Sequence, residues 1–223
     1  MATALMRRPP ALCPPFWTSA KRRLAAADPI MSAIIRRHPR IALTSRGDAF
    51  HTLARSIVGQ QISVKAADSV WMRVNDACGD VSPRSVMRRR AATLRACGLS
   101  ERKVEYLRDL AAHFAYRRVD PMSLAGMSDE DVVVCLTDIR GIGRWTAEMF
   151  LIFNLLRPDV LPLDDLGLLK AIGQHYLSGC TPASLLKGEG RQRVVELASR
   201  WKPYRSVATW YLWRSMEPVP VEY

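Results

Sequence analysis

The chain has 223 residues, with 33 Lys and Arg against 21 Asp and Glu, a formal charge of +12, and 48% apolar residues. That apolar share excludes a disordered basic tail and a minimal stapled domain, and it is enough to bury one sizeable core or two small lobes. An excess of positive charge on this scale favours a polyanionic partner, most often nucleic acid. No membrane contact is expected: the best apolar run, Ala147 to Leu156, is broken by Glu148 and Asn154 and falls short of the ~20 residues of a span.

In chain order, residues 1–17 hold two Arg, four Pro and no acid, and read as a flexible basic, Pro-rich arm, because the prolines interrupt any helix. From there, apolar residues recur at 3.6 spacing with short polar breaks and without sustained strand-like alternation, so the fold class is all-α. The pattern predicts helices over 18–27, 29–38, 49–59, 63–77, 82–90, 91–96 and 100–115, and another starting near Ser128. Helices over 144–155, 166–175, 182–186, 190–198 and 204–216 complete the series. The basic clusters Arg36-Arg37, Arg88-Arg89-Arg90 and Arg102-Lys103 read as solvated helix faces. Five scattered cysteines without a C-x-x-C pair indicate free thiols of a reducing compartment, and the four histidines lack zinc spacing. No cofactor is expected to be required.

The informative stretch runs from Leu136 to Ala147, Leu-Thr-Asp-Ile-Arg-Gly-Ile-Gly-Arg-Trp-Thr-Ala, between an acid-capped helix and an amphipathic one. Gly141 and Gly143 permit positive φ and close backbone approach, while Ile142 between them pins the turn into the core. The turn's amides, with those opening the next helix, can then receive a phosphate oxygen at the favourable end of the helix dipole, with Arg144 adding charge beside them. Leu136, Ile139, Ile142 and Ala147 recur where two helices and a hairpin must be held together, and the stretch resembles a helix-hairpin-helix motif. Such a motif captures backbone phosphate without reading sequence, and Thr146 falls among its expected DNA contacts.

Twenty positions after Trp145, Asp165 follows Asp164 immediately ahead of a helical run, in Pro-Leu-Asp-Asp-Leu-Gly. An aspartate there is ordinarily an N-cap. A carboxylate beside a phosphate-binding turn is electrostatically unwelcome, and positive charge developing on a sugar is one feature that would compensate it.

Gly-Ile-Gly-Arg-Trp-Thr-Ala, the Pro-Leu-Asp-Asp-Leu-Gly segment, Leu53 to Ser63 and Trp201 to Trp213 together resemble the helix-hairpin-helix DNA glycosylases, in particular the DNA-3-methyladenine glycosylase II branch. The resemblance implies a two-lobed helical fold with the active site between the lobes. One lobe would span about 53–163, with the helix-hairpin-helix at 129–155, and the other about 18–52 plus 164–223. It implies a monomeric enzyme, cytoplasmic and nucleoid-associated or, in a eukaryote, nuclear, acting on double-stranded DNA with alkylated bases, monofunctional because Trp145 stands where strand-cleaving relatives carry a nucleophilic lysine. Asp165 takes the catalytic position and Asp164 that of a cap or supporting group. Gln61 would fill the gap left by a flipped base, with Gln60 beside it on the DNA and Ile62 as the fallback wedge. Backbone carbonyls of Thr137, Ile139 and Ile142 would hold a monovalent cation.

Glycosylases rotate the target nucleotide out of the stack. Trp145 and Trp213 are expected to sandwich the flipped base, with Met149 completing the wall, because an electron-rich indole favours a cationic alkylpurine by about 0.5 to 2 kcal/mol. Trp71, Trp201 and Trp210 read as core. Two rival readings stand at this point: a non-catalytic DNA-binding module in which Asp165 merely caps, and a glycosylase for another lesion such as uracil.

Overall fold

The computed structural model describes residues 13–39, 42–45 and 47–216. Among them every regular element is a helix: α1 (Trp17–Ala27), α2 (Pro29–Arg37), α3 (Ala49–Gly59), α4 (Val64–Cys78), α5 (Pro83–Arg88), α6 (Ala91–Ala96) and α7 (Glu101–Ala115). There follow α8 (Pro121–Leu124), α9 (Asp129–Thr137), α10 (Arg144–Phe153), α11 (Leu166–His175), α12 (Pro182–Leu185), α13 (Gly188–Ser199) and α14 (Arg205–Met216). Most helix starts are set locally by short polar side chains that accept the first free amides. Asp28, Asp48, Ser63, Ser100, Ser128 and Asp165 all do this.

Two expectations need correction. The proposed arm over 1–17 lies outside the described residues up to residue 12, but its end is structural: Trp17 opens α1, is buried, and stacks on Tyr211 at 5.8 Å. Phe16 stacks on Tyr204 at 6.2 Å beside the buried Trp17, so two adjacent aromatics anchor the end of the arm to the core. The four-residue helix α8 has no counterpart in the sequence reading, since one turn is too short to display a period.

The principal packings fall into two groups. Helix α3 packs on α4, α7 and α10, α9 lies on α10, and α5 and α6 lie on α7. Separately, α2 and α11 pack on α14, α1 on α2 and α14, and α12 joins α11 to α13. The groups are stitched along the α10–α11 connection, where Arg205 forks onto Asp159 at 2.8 Å with both Nε and Nη2 and the Ser206 hydroxyl accepts the Val160 amide at 2.9 Å. Helix α10 is buried from Thr146 through Phe153, with the fully buried Phe150 at its centre. The side chains α10 presents are thereby held rigidly.

Candidate active site

The turn after α9 is built as its glycine pattern requires, with one difference. Gly141 has φ +81°, and a Cβ placed on it would lie 2.2 Å from the Tyr106 ring of α7, so both conformation and space demand glycine. Gly143 is extended at φ −96° and serves as N-cap of α10. Its role is openness: a Cβ there meets nothing within 4 Å, which leaves the amides opening α10 approachable. Ile139 and Ile142 are buried beneath the turn.

Arg144 does not stand free beside this turn. Its guanidinium donates to both carboxylate oxygens of Glu130, at 2.9 and 2.6 Å, and its Nε lies 3.4 Å from Glu148. Glu130, in the first turn of α9, reaches it because the two helices pack side by side. Both Arg144 and Glu130 are more than half exposed, so the pair contributes little energy and can be exchanged for a phosphate. Thr146, expected on DNA, is instead buried in α10 and faces a cavity.

That cavity, about 460 Å³, opens between α10 on one side and α3, the 60–62 loop and α4 on the other, a volume within the ordinary range for small-ligand pockets. Trp145, Met149 and Phe153 share one stripe of α10 at four-residue intervals and form its apolar wall. Trp213 does not line it. Phe153 lies parallel to Trp213, centroids 5.8 Å apart, and takes the wall position expected for that tryptophan.

The indoles act on Asp165. Trp145 Nε1 donates to its Oδ2 at 2.9 Å and Trp213 Nε1 to its Oδ1 at 2.8 Å, while the Leu168 amide donates to Oδ1 at 2.6 Å. Asp165 therefore caps α11 and at the same time belongs to the site; the two roles do not compete. Asp165 is 8% exposed and does not itself line the cavity; its partner Trp145 does. Asp164 is not the cap. It points outward and pairs with Arg191 at 2.7 Å.

Glu148, one helical turn after Arg144, is the opposite kind of acid. It is buried, and its Oε2 finds no hydrogen-bond partner among the described residues. Burial pushes its carboxyl up to about 7, against the pull of Arg144.

The 60–62 loop touches the hairpin. The Gln60 amide donates to the Gly141 carbonyl at 2.9 Å, so this side chain, expected on DNA, braces the two loops against each other. Gln61 is exposed in the left-handed region, φ +59°, and Ile62 is 39% exposed, so both project from the loop tip. Lys103, expected on a solvated face, donates to the Val58 carbonyl at the end of α3, and burial lowers the pKa of its ammonium. The sequence reading missed Phe153 and the cavity face of α3. A signal for the latter exists: Thr52, Arg55, Ser56 and Gly59 recur at i, i+3, i+4 and i+7, a polar stripe on an otherwise apolar helix.

The family model of the HhH-GPD superfamily base excision DNA repair protein matches residues 54–187. The chain is 33% identical over 172 residues to DNA-3-methyladenine glycosylase 1 of Schizosaccharomyces pombe, covering 75% of this chain and 72% of that one. It spans 66%, 72% and 92% of the length of three curated relatives. Among solved structures it superposes on the DNA-3-methyladenine glycosidase of Bacillus halodurans with a TM-score of 0.75 and 33% identity, covering 89% of both chains. It superposes on the Schizosaccharomyces pombe 3-methyladenine DNA glycosylase in complex with abasic DNA with a TM-score of 0.74 and 27% identity, covering 88% of this chain and 96% of that one. With the hairpin, the capped acid and the cavity in one chain, this protein belongs to the HhH-GPD superfamily of base excision DNA repair proteins.

Proposed function

We propose that the protein is a monofunctional DNA glycosylase that hydrolyses the N-glycosidic bond of alkylated purines in double-stranded DNA, such as 3-methyladenine and 7-methylguanine, and leaves an abasic site. The observation that carries the reading is the Asp165 carboxylate, buried, held by two indole N–H groups and joined through Trp145 to the wall of a purine-sized cavity next to the glycine hairpin. Relatives named DNA-3-methyladenine glycosylase, and a neighbour solved with abasic DNA, support the substrate class. It acts as a monomer, in the compartment that holds DNA.

The amides of Gly141, Gly143 and the first turn of α10 take a backbone phosphate, with Arg144 released from Glu130 to join them. Gln61 and Ile62 fill the gap as the nucleotide turns out, and the base enters against Trp145, Met149 and Phe153. The C1′–N bond breaks with both electrons passing to the ring nitrogen, which quenches the positive charge of an alkylated purine, so no strong general acid is needed. Positive charge then develops on the sugar, and the fixed carboxylate of Asp165 stabilises it until water adds at C1′ and loses a proton. Trp145 carries no amine, so no Schiff base forms and the strand is not cut.

A monovalent cation on the carbonyls of Thr137, Ile139 and Ile142 would add charge beneath the phosphate. The Ile139 oxygen accepts the Ile142 amide at 3.1 Å, and its second lone pair would face the ion. The chemistry needs no further cofactor.

The test is mass spectrometry of bases liberated from methylated duplex DNA by the protein and by Asp165→Asn. Removal of one preorganised electrostatic group costs roughly 100- to 1000-fold in rate, so we expect release of 3-methyladenine and 7-methylguanine by the wild type and near-complete loss in the variant, with abasic-duplex binding retained. Unchanged turnover in the variant removes Asp165 from the mechanism. DNA binding without any base release establishes the non-catalytic reading.

A further inference from the structure

The polar wall of the cavity is not used by the mechanism above. Arg55 of α3 and Asp68 of α4 both line it and form an ion pair with each other, Nη2 to Oδ1. The guanidinium is fixed from another side by Trp71, whose ring centroid lies 5.7 Å from Cζ, and Trp71 meets His51 edge-on at 4.7 Å. The Arg55 side chain is 20% exposed and that of Asp68 49%. A half-exposed pair contributes little to folding, but the identity of a charge on the wall of a confined site matters for any charged occupant.

Across the cavity stand Trp145, Met149 and Phe153, whose attraction for a cationic ring is that of aromatic faces and a polarisable thioether. Arg55 alone would oppose the arrival of such a ring. Asp68 cancels it, and is the more exposed partner of the pair.

We propose that the Arg55–Asp68 pair is the charge filter of the cavity, a specificity-determining element in which Asp68 neutralises the guanidinium so that positively charged alkylpurines are accepted over neutral modified purines. The proposal rests on the glycosylase reading above. It assigns selection to the balance of two charges on α3 and α4, independent of the carboxylate that assists bond cleavage.

The experiment compares duplexes carrying 7-methylguanine, which is cationic, and 1,N6-ethenoadenine, which is neutral and reports its own unstacking by fluorescence. Dissociation constants for both and single-turnover release of 7-methylguanine are measured for the wild type, Asp68→Asn, Arg55→Gln and the double variant, with thermal melts confirming folding. Screened Coulomb interaction at a half-exposed site predicts that Asp68→Asn lowers the affinity ratio of cationic over neutral lesion roughly tenfold. Arg55→Gln raises the ratio, and the double variant returns it toward the wild-type value. If one single variant fails to fold, the other and the double variant still give the sign. Equal changes for both lesions, or a ratio that does not move, overturn the proposal. Failure of the wild type to release 7-methylguanine overturns the glycosylase reading instead.

Discussion

Asp28 and Asp165 are the same feature placed in two surroundings. Each is a buried N-cap, and each receives at least one backbone amide and one indole N–H. Asp28 takes the amides of Ile30 and Met31 at 2.9 and 3.0 Å on one oxygen, and on the other the Tyr176 hydroxyl at 2.9 Å and Trp201 Nε1 at 3.0 Å. It is 1% exposed and joins α2 to the end of α11 and the segment before α14. Burial and the neighbouring carboxylate push the Tyr176 phenol well up, so it stays a proton donor. Asp165 has three such donors, one fewer, and a cavity beyond the indole of Trp145. Four donors around a carboxylate 1% exposed make a structural joint; Asp165, 8% exposed, has three, one of them the indole of a cavity-wall residue. A capping carboxylate is thus defined by what its donors face.

The largest expected contrast is in stability. Asp28→Asn sets an amide against a fixed indole N–H and leaves buried donors unpaired, which should lower unfolding free energy by about 3 kcal/mol. Asp165→Asn keeps one oxygen on the Leu168 amide and Trp213 and loses a single donor, the partly exposed Trp145 indole, so it should lower it by less, about 1 to 2 kcal/mol. Urea titration of the two variants checks this, and equal losses would dissolve the distinction.

The donors sharpen it next. A hydrogen bond to a charged group is worth about 1.5 to 3 kcal/mol, and Trp145→Phe or Trp213→Phe removes one from Asp165. Each should slow single-turnover base release by about 10- to 100-fold, since 1.36 kcal/mol is tenfold in rate. Substrate affinity should weaken with Trp145→Phe and stay near wild type with Trp213→Phe, because only Trp145 lines the cavity. Trp201→Phe takes a donor from Asp28 and should register in the melting temperature rather than in the rate constant. A Trp213 variant whose only defect is in affinity would return that indole to the role of a stacking surface.

Glu148 extends the comparison to a buried acid without such donors. Its carboxyl is raised from 4.5 to about 7, so the fold favours the neutral form. The stability it contributes is complete below the unfolded value and is lost as pH rises through the folded one. Glu148→Gln should therefore match the wild type near pH 4 and exceed it by about 1 to 2 kcal/mol near pH 8, after allowance for screening and the lost Arg144 contact. Denaturation at the two pH values decides; a variant less stable at pH 8 would mean that the ion pair outweighs the burial.

The helices, their caps and the hairpin glycine were legible in the chain because each depends on neighbours within a turn or two. The period of Leu136, Ile139 and Ile142 reports which side is buried, Ser63 or Ser128 ahead of a helix reports where it starts, and a tight turn in left-handed backbone reports Gly141. Asp165 was legible too as the N-cap of α11, a short acid just ahead of an apolar run. What tertiary structure decided is how groups far apart in the chain divide the work: Gln60 braced on Gly141, Phe153 standing where Trp213 was expected, Asp164 turned out to Arg191 while its neighbour is held by two indoles, Arg55 and Asp68 closing the cavity's second wall. Periodicity tells which face of a helix is covered. Only the packing of α3, α4, α10 and α14 determines which side chains meet across the covered space, because direction and distance between helices are set by the whole core at once.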